Sequence, residues 1–584
     1  MENIEIAGVL TDVADLLELQ GANPFRIRAY RNAAQTVEEH GTPLRKLVDG
    51  GADLTDLPGI GKDMAQHIGE LVKSGRLTLL SRLAEEIPLS LIELTRLPGL
   101  GAKRTRRLWT ELGVETIAEL ESAAKESRIE ALAGFGKKTQ DKILVAIDRY
   151  RHRQGRMKLG DADQHVQPLV EYMRGHETVR EIEVAGSYRR RKDTVGDIDL
   201  LVVAVEPGAV TEHFVAYPDV RKVQSSGATR SSVILRSGLQ VDLRIVRPES
   251  YGAALVYFTG SKEHNVKLRT RAVRRGLRIS EYGVFRGGEE PDDNDDPWVG
   301  EFVTGSNEAE VYGVVELDWI PPELRENRGE IEAAERHVLP PLLVLGDIRG
   351  DLQMHSAWSD GKETIETMLE ACAARGYEYF AITDHSKALA MTGGLDTAKL
   401  REQWVEMAEV ADRHSEIRLL RGMEVDILVD GRLDLEDEML AELDIVLVSV
   451  HSRFDLDPAE QTERILKAIQ HPQVNVLAHP TGRQINRRDP MQFDLDAVLQ
   501  CAKDNGVAVE INAHPDRLDL NDVHVIQARE HGCSFVISTD AHRVSDLDLM
   551  RYGVEQARRG WLEKQHVWNA LPYEILTRLL EKGL

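Results

Sequence analysis

Seven short apolar runs, near residues 351–354, 379–383, 419–425, 445–450, 474–478, 507–511 and 534–538, alternate with helical patterns over the C-terminal part of the chain. Parallel strands need long crossover connections, usually helices, so this alternation predicts a barrel-like α/β domain. It also predicts where chemistry sits, because residues that follow the strands share one rim. Gln353 and His355 fall on one face of the first strand end, with Asp360 in the next loop. His385, Glu424, His451, His479, Asp540 and His542 fall at the ends of later strands. A single histidine after a strand is more often structural than a ligand, but several at the same end of consecutive units point to bound metal. Imidazole and carboxylate donors without thiolate suit Zn²⁺ or Mn²⁺ better than Mg²⁺ alone. Clustered cations can deprotonate a water and clamp phosphate oxygens.

At 584 residues the chain exceeds what one core supports, so it is multidomain. Its net charge is −25, and the acid is unevenly spread. Residues 1–155 carry about −1, residues 156–340 about −7 and residues 341–584 about −17. The acidity therefore belongs to the last domain. No apolar stretch approaches the roughly 20 residues that span a bilayer. The N-terminus has two early acids and no basic region before an apolar core, so it reads as an amphipathic helix instead of a signal peptide, and a cytoplasmic protein is expected. Three unpaired cysteines, Cys372, Cys501 and Cys533, exclude a disulfide framework and thiolate zinc modules.

Residues 1–153 read as helices broken three times by one motif: Leu57-Pro58-Gly59-Ile60-Gly61, Leu97-Pro98-Gly99-Leu100-Gly101 and Leu132-Ala133-Gly134-Phe135-Gly136. Such a turn leaves backbone N–H groups uncovered at the start of the second helix, which is an anion site. Lys62, Lys103 and Lys137-Lys138 follow directly, as contact with a nucleic-acid backbone requires. The bland alternative is an ordinary helix–helix turn; three lysine-tailed copies argue against it. A mixed α/β region follows, with β-branched runs over 182–205 and 232–246 and a Gly/Pro/acid loop at 286–300. The polar stretch from Trp319 to Pro341 reads as a linker.

Within the mixed region, Gly186-Ser187 forms a tight turn after a strand, and Asp197-Ile198-Asp199 heads the apolar strand ten residues on. The strand period of two puts Asp197 and Asp199 on one face. Asp242 lies in another strand-like run. Alone, an Asp-x-Asp pair is mostly solvated surface. Three carboxylates on neighbouring strands can instead hold two hard cations, Mg²⁺ or Mn²⁺, one activating a 3′-hydroxyl and one neutralising a triphosphate. Gly186, Ser187 and Gly196 let phosphate oxygens approach the backbone, and Arg190 supplies charge at transfer.

This arrangement resembles the palm of family X DNA polymerases, the DNA polymerase beta relatives, and Tyr257-Phe258-Thr259-Gly260-Ser261, Asn265, Arg269 and Glu281-Tyr282 resemble their thumb. The glycine turns resemble helix-hairpin-helix motifs. The resemblance implies a deoxynucleoside triphosphate pocket using Tyr257 and Phe258 against the sugar, Gly260, and Asn265 on the minor-groove edge. It implies Arg269 on the template, with Gly59, Gly61, Lys62, Gly99, Gly101 and Lys103 gripping DNA. Lyase-competent relatives carry a lysine nine residues beyond the first proline of the turn. Here it is His67, which cannot form the iminium an amine forms.

The C-terminal motifs resemble the polymerase and histidinol phosphatase (PHP) family, which binds up to three metals and acts in relatives as a 3′–5′ exonuclease and phosphodiesterase. Its first motif often reads His-x-His; Gln353-x-His355 puts a neutral amide there instead. The implied ligand sets are His355, Glu424 and Asp540 for a first ion, with Gln353 as an oxygen donor. Asp360, His385 and His542 serve a second, and His451 and His479, sharing Glu424, a third. The expected layout is a 5′-end-binding helical domain over 1–80, a second helical domain over 81–155, the palm over 156–246, the thumb over 247–318, the linker over 319–345 and the distorted (βα)7 barrel over 346–584. The expected function is filling of short gaps in gapped or 3′-recessed DNA and trimming of 3′ ends by a monomer, with abasic-site cleavage as a further activity. A nucleotide or small-molecule phosphatase in the barrel, and a DNA-end-binding scaffold with weak sites, remain as rivals.

Overall fold

The computed structural model describes all residues except 1, 2, 39–43, 50, 51, 58, 96, 98, 99, 133, 154, 155, 288–297, 390, 391 and 582–584. Most of the expected acidic loop at 286–300 lies outside the described residues, as does Gly99. The chain forms two compact units, Met1–Gln154 and Gly155–Leu584.

The first unit is helical, as expected, but it has one core and not two. Helix Asn3–Gln20 buries Ile6, Leu10, Val13, Ala14, Leu16 and Leu17. Its apolar face is broad, leaving Thr11, Asp12, Asp15 and Glu18 on the other side, and it packs against helices Pro24–Glu38, Thr78–Glu86 and Ala102–Leu112. A central helix touching both halves merges residues 1–80 and 81–155 into one cluster running from Ile6 to Ile147. The glycine turns are alike in structure. Ile60, Leu100 and Phe135 each donate their N–H to the carbonyl three residues back, at 3.1, 2.9 and 3.1 Å. Gly61, Gly101 and Gly136 each accept from the fourth residue beyond, at 2.9, 3.0 and 3.2 Å, starting helices Lys62–Ser74, Ala102–Leu112 and Lys137–Arg153.

In the second unit, the palm is a five-stranded sheet in the order Val179–Val184, Asp197–Ala204, Gln240–Val246, Arg230–Leu235, Val220–Ser226, with only the second and third strands parallel. Helices Tyr251–Thr259 and Lys262–Val273 and a three-stranded antiparallel sheet follow. The last part is the expected barrel. Seven parallel strands, Gly350–Asp351, Tyr379–Ile382, Arg418–Asp426, Ile445–Ser449, Val476–Leu477, Ala508–Asn512 and Phe535–Ser538, pair in chain order. Met354 bridges Ala541 in parallel, and the buried Asn569 spans the seam, donating to Gly350 O at 2.8 Å and Ile537 O at 2.7 Å. The ring is thereby nearly closed.

Two expectations about boundaries fail. Residues 319–345 are not a linker: Ile320, Leu324, Ile331 and Ala334 join the thumb core with Tyr312 and Val315. Arg325, fully buried, donates to Glu308 at 2.8 Å and to Ile320 O at 2.8 Å. The palm core also reaches past its expected boundary, since Ile485, Leu518 and Tyr552 of the C-terminal half pack into it with Leu159, Val166 and Tyr188, although the barrel keeps cores of its own. Among the described residues no helix is long and apolar enough to cross a membrane.

Candidate active sites

In the palm, parallel pairing sets Asp199 directly opposite Asp242. Asp197 is exposed at the strand head, two residues from Asp199 and on its face. Burial, then the Asp197 carboxylate and more weakly Asp242, push Asp199 up to about 6 against the pull of Arg244. Gln240 Nε2 donates to both oxygens of Asp242, at 3.2 and 3.1 Å. Gly186 opens the short helix Gly186–Arg189 with φ +67°, and a β-carbon there would lie 3.2 Å from Asp199 Oδ2. The turn and the carboxylates are one construction. Their oxygens are not gathered as tightly as the barrel ligands described below.

The turn meets the end of helix Tyr251–Thr259 through Arg189, which donates to Thr259 Oγ1 at 2.8 Å, and through Arg190. Tyr257 and Phe258 meet edge to face at 5.0 Å, Arg244 lies 4.2 Å over the Phe258 ring, and Asn265 Nδ2 donates to Tyr257 O at 2.7 Å. Ser187 is half-buried in the turn, and Gly196 lies against Arg156. Arg190 is engaged already: Nε donates to Glu326 at 3.0 Å and Nη1 to Thr259 O, beside Gly260. Arg269 stands on a groove with Val273 and Arg278. In the first unit Lys62 and Lys103 are exposed, Gly59 holds φ +74°, and His67 Nδ1 lies 3.0 Å from the Tyr30 hydroxyl.

In the barrel, the strand ends converge on Glu424. Its oxygens lie 2.9 Å from His479 Nε2, 3.3 Å from His451 Nε2, 3.3 Å from His385 Nδ1 and 3.5 Å from His355 Nε2. His355 Nε2 is also 3.1 Å from Asp540. Asp360 lies 3.4 Å from His542 and 3.7 Å from His385. Three donor sets gather within 4.8 Å: His355, Asp360, His385 and His542; His385, Glu424 and His451; and His355, Glu424 and Asp540. His355, Glu424 and Asp540 of the first expected set come together, and the second set, Asp360, His385 and His542, gains His355. The third differs, because His385 takes the place of His479, whose Nε2 lies 2.9 Å from Glu424 but falls outside the gathered set.

Charge here is strongly coupled. Burial lowers His451 and His542, yet Glu424 and Asp426 lift the former, and Asp360 and Asp540 the latter, each to about 9. His385 is brought down to about 4 by burial. The donor set also carries open valences suited to cations. Nδ1 of His355, His385 and His479, Oε2 of Glu424 and both carboxamide atoms of Gln353 are buried without a hydrogen-bond partner. Buried polar atoms are rarely left so, and a cation would satisfy the oxygens and imidazoles together.

Residues 254–326 match the DNA polymerase beta thumb, 1–77 a helix-hairpin-helix domain, 91–149 a SAM-like helix-hairpin-helix tandem and 351–514 the PHP domain. Over 585 aligned residues the chain is 39% identical to the DNA polymerase/3′-5′ exonuclease PolX of Bacillus subtilis (strain 168), covering 100% of both. The chain belongs to the PolX family. DNA polymerase lambda of Rattus norvegicus is 24% identical over 48% of this chain and 49% of its own length. A probable phosphatase of Acetivibrio thermocellus is 32% identical over 26% of this chain and 59% of its own.

This PolX-family barrel holds polar residues that the sequence reading missed. Asp426 Oδ2 lies 3.7 Å from His451 Nδ1, Glu510 accepts from the backbone N–H of His479 at 2.6 Å, and Asn512 Nδ2 donates to Asp540 at 3.1 Å. Asp384 accepts from Ser356, Ser359 and Gln403 behind the cluster. Such partners fix ligand orientation. A signal existed: Asp426 follows Glu424 by two, and Glu510 and Asn512 are two apart in an otherwise apolar strand.

Proposed function

We propose that this PolX-family chain fills short gaps by template-directed nucleotidyl transfer at the palm and trims or unblocks 3′ ends at the barrel centre. The observation that carries the reading is the pairing, in one compact unit, of Asp199 opposite Asp242 beside Gly186 with a Glu424 surrounded by four histidines. Asp197, Asp199 and Asp242 would hold two Mg²⁺ or Mn²⁺ ions. The barrel donors would hold up to three Mn²⁺ or Zn²⁺ ions, with His479 and Gln353 completing their sets. When bound, such ions activate an attacking oxygen and neutralise phosphate charge. The protein's own part is to orient. The Gly186-Ser187 turn offers backbone N–H groups to the triphosphate, and Tyr257 and Phe258 wall the sugar. In the first unit, uncovered N–H groups at the starts of the lysine-headed helices grip DNA phosphates without reading bases. Arg517, with Nε 3.8 Å from Asp540, supplies positive charge beside the barrel cluster for a phosphodiester.

Asp199→Ala tests the polymerase assignment. Nucleotide incorporation on gapped duplex should be lost, while Mn²⁺-dependent hydrolysis of a 3′-recessed duplex persists. Incorporation above about a hundredth of wild type would sink it. The match to a probable phosphatase favours one second reading, a nucleotide phosphatase in the barrel. Faster hydrolysis of free nucleotides than of recessed duplex would select it.

A further inference from the structure

The nucleotide turn of the palm is gripped by one helix of the C-terminal half, Met550–Arg559. Residues 551, 555 and 559 recur every four positions and share a face. At one end Tyr552 donates to Asp163 Oδ2 at 2.7 Å and Arg551 lies 2.9 Å from the same oxygen, while Tyr188 of the turn donates to Asp163 Oδ1 at 2.5 Å. In the middle Glu555 pairs with Arg191 at 2.8 Å. At the far end Arg559 donates from Nη1 to the backbone carbonyl of Arg190 and pairs through Nη2 with Asp522. Both Nη atoms of Arg559 lie 3.2 Å from Glu326 Oε1, and that oxygen also accepts from Arg190 Nε at 3.0 Å.

One carboxylate oxygen is thus shared between Arg190 and Arg559, and Arg559 additionally holds the Arg190 main chain. The Arg559 side chain is 1% exposed. Burying a guanidinium this deeply is costly, and an interface that only had to adhere would be served as well by apolar packing. What the charged arrangement provides is direction: the planar fork fixes a carbonyl and a carboxylate at set angles. Both of those acceptors fix the orientation of Arg190.

The geometry points to Arg559 as a positioning residue of the polymerase site, carried by the half of the chain that houses the other site. It acts through the Arg190 carbonyl and through Glu326, and its effect is on binding of the incoming nucleotide's triphosphate. The inference rests on the reading that Arg190 meets that triphosphate. Arg559 touches no barrel ligand among the contacts described, so hydrolysis there does not depend on it.

The test uses the full chain and two assays in parallel: single-nucleotide incorporation on a one-nucleotide gap with varied deoxynucleoside triphosphate, and Mn²⁺-dependent hydrolysis of a 3′-recessed duplex. Arg559→Met is expected to raise KM for the nucleotide about tenfold or more, with kcat within about threefold and hydrolysis within about twofold. Arg559→Lys keeps the charge but loses the fork and should fall between. Glu326→Gln, nearly isosteric and outside the helix, should raise KM likewise and carries the test should the Arg559 variants not fold. An unchanged KM in folded Arg559→Met or Glu326→Gln overturns the inference, and so does a parallel loss of both activities in folded protein. Arg190→Ala separates the two ideas: if it leaves KM unchanged, the triphosphate reading of Arg190 has failed instead.

Discussion

A β-carbon at Gly186 would stand 3.2 Å from Asp199 Oδ2, so the nucleotide turn and the middle carboxylate of the palm are built against each other. Gly186 also holds φ +67°, a left-handed backbone that costs an L side chain about 1–2 kcal/mol. Gly186→Ala must therefore twist the turn, displace Asp199, or both. Incorporation on gapped duplex is expected to fall at least about tenfold, while barrel hydrolysis stays within about twofold. Wild-type incorporation by the variant would mean that turn and carboxylate are not pressed together in the working enzyme.

His67 should leave the N-terminal unit without lyase chemistry. Its Nδ1 is 3.0 Å from the Tyr30 hydroxyl and its ring stacks on that tyrosine, so it packs as part of the helical unit. Imidazole lacks the primary amine that forms an iminium with an abasic sugar. Borohydride trapping on a pre-incised abasic duplex should give no adduct within residues 1–80. An adduct mapping to Lys62 or Lys73, both exposed, would show that another amine has taken the role.

Glu308 ties the supposed linker to the thumb and should set part of the acid sensitivity. Its oxygens accept from Arg189 at 2.7 and 3.0 Å, from Arg325 at 2.8 Å and from the Trp319 ring N–H at 3.0 Å. Burial raises this carboxyl, but Arg325 and Arg189 outweigh it and bring it from an ordinary 4.5 to about 2. A carboxyl whose folded pKa is depressed contributes stability in full above its unfolded value and loses it as pH falls through the folded one. Glu308→Gln should thus lose about 3–5 kcal/mol at pH 7, since it strands Arg325. The deficit should shrink between pH 4.5 and 2. Urea midpoints of both proteins at pH 7 and pH 3 measure this; an equal gap at the two values would refute it.

Much of the barrel was legible because a parallel strand declares itself by an apolar run, and its C-terminal end declares a ligand by following it. His355, His385, Glu424, His451, Asp540 and His542 were read that way. The missed residues lie inside strands or between distant segments. Glu510 and Asn512 are masked by the apolar residues around them, and the Glu326, Arg559 and Arg190 triad joins positions hundreds of residues apart, which no local period records. The supposed linker failed for a related reason: charged residues crowd its middle, from Glu323 to Arg336, yet Arg325 and Glu330 there are buried by ion pairing. The two helix-hairpin-helix stretches match separate families, 1–77 and 91–149, yet share one core, because the broad apolar face of the first helix, with Val13, Ala14, Leu16 and Leu17, packs against both.

Gln353 carries the last prediction. Its side chain is fully buried and neither carboxamide atom has a partner, although leaving such a group unpaired costs about 1–3 kcal/mol per atom. An apolar residue of like size would remove that burden, so Gln353→Leu should raise the melting temperature of metal-free protein. With saturating Mn²⁺ the order should reverse, because wild type gains an oxygen donor's share of binding that the leucine cannot supply. A neutral oxygen in place of imidazole also favours a harder ion, so hydrolysis of 3′-recessed DNA should be stronger with Mn²⁺ than with Zn²⁺, and Gln353→His should shift the preference toward Zn²⁺. Gln353→Ala should lower metal content without emptying the other sets. His451→Ala should be worse, since it removes a primary ligand from that set and leaves only His479 to complete Glu424 and His385. Melting curves and metal content read these outcomes apart from activity. If Gln353→Leu leaves the Mn²⁺-induced rise in melting temperature unchanged, the amide is not a ligand, and its burial needs another cause.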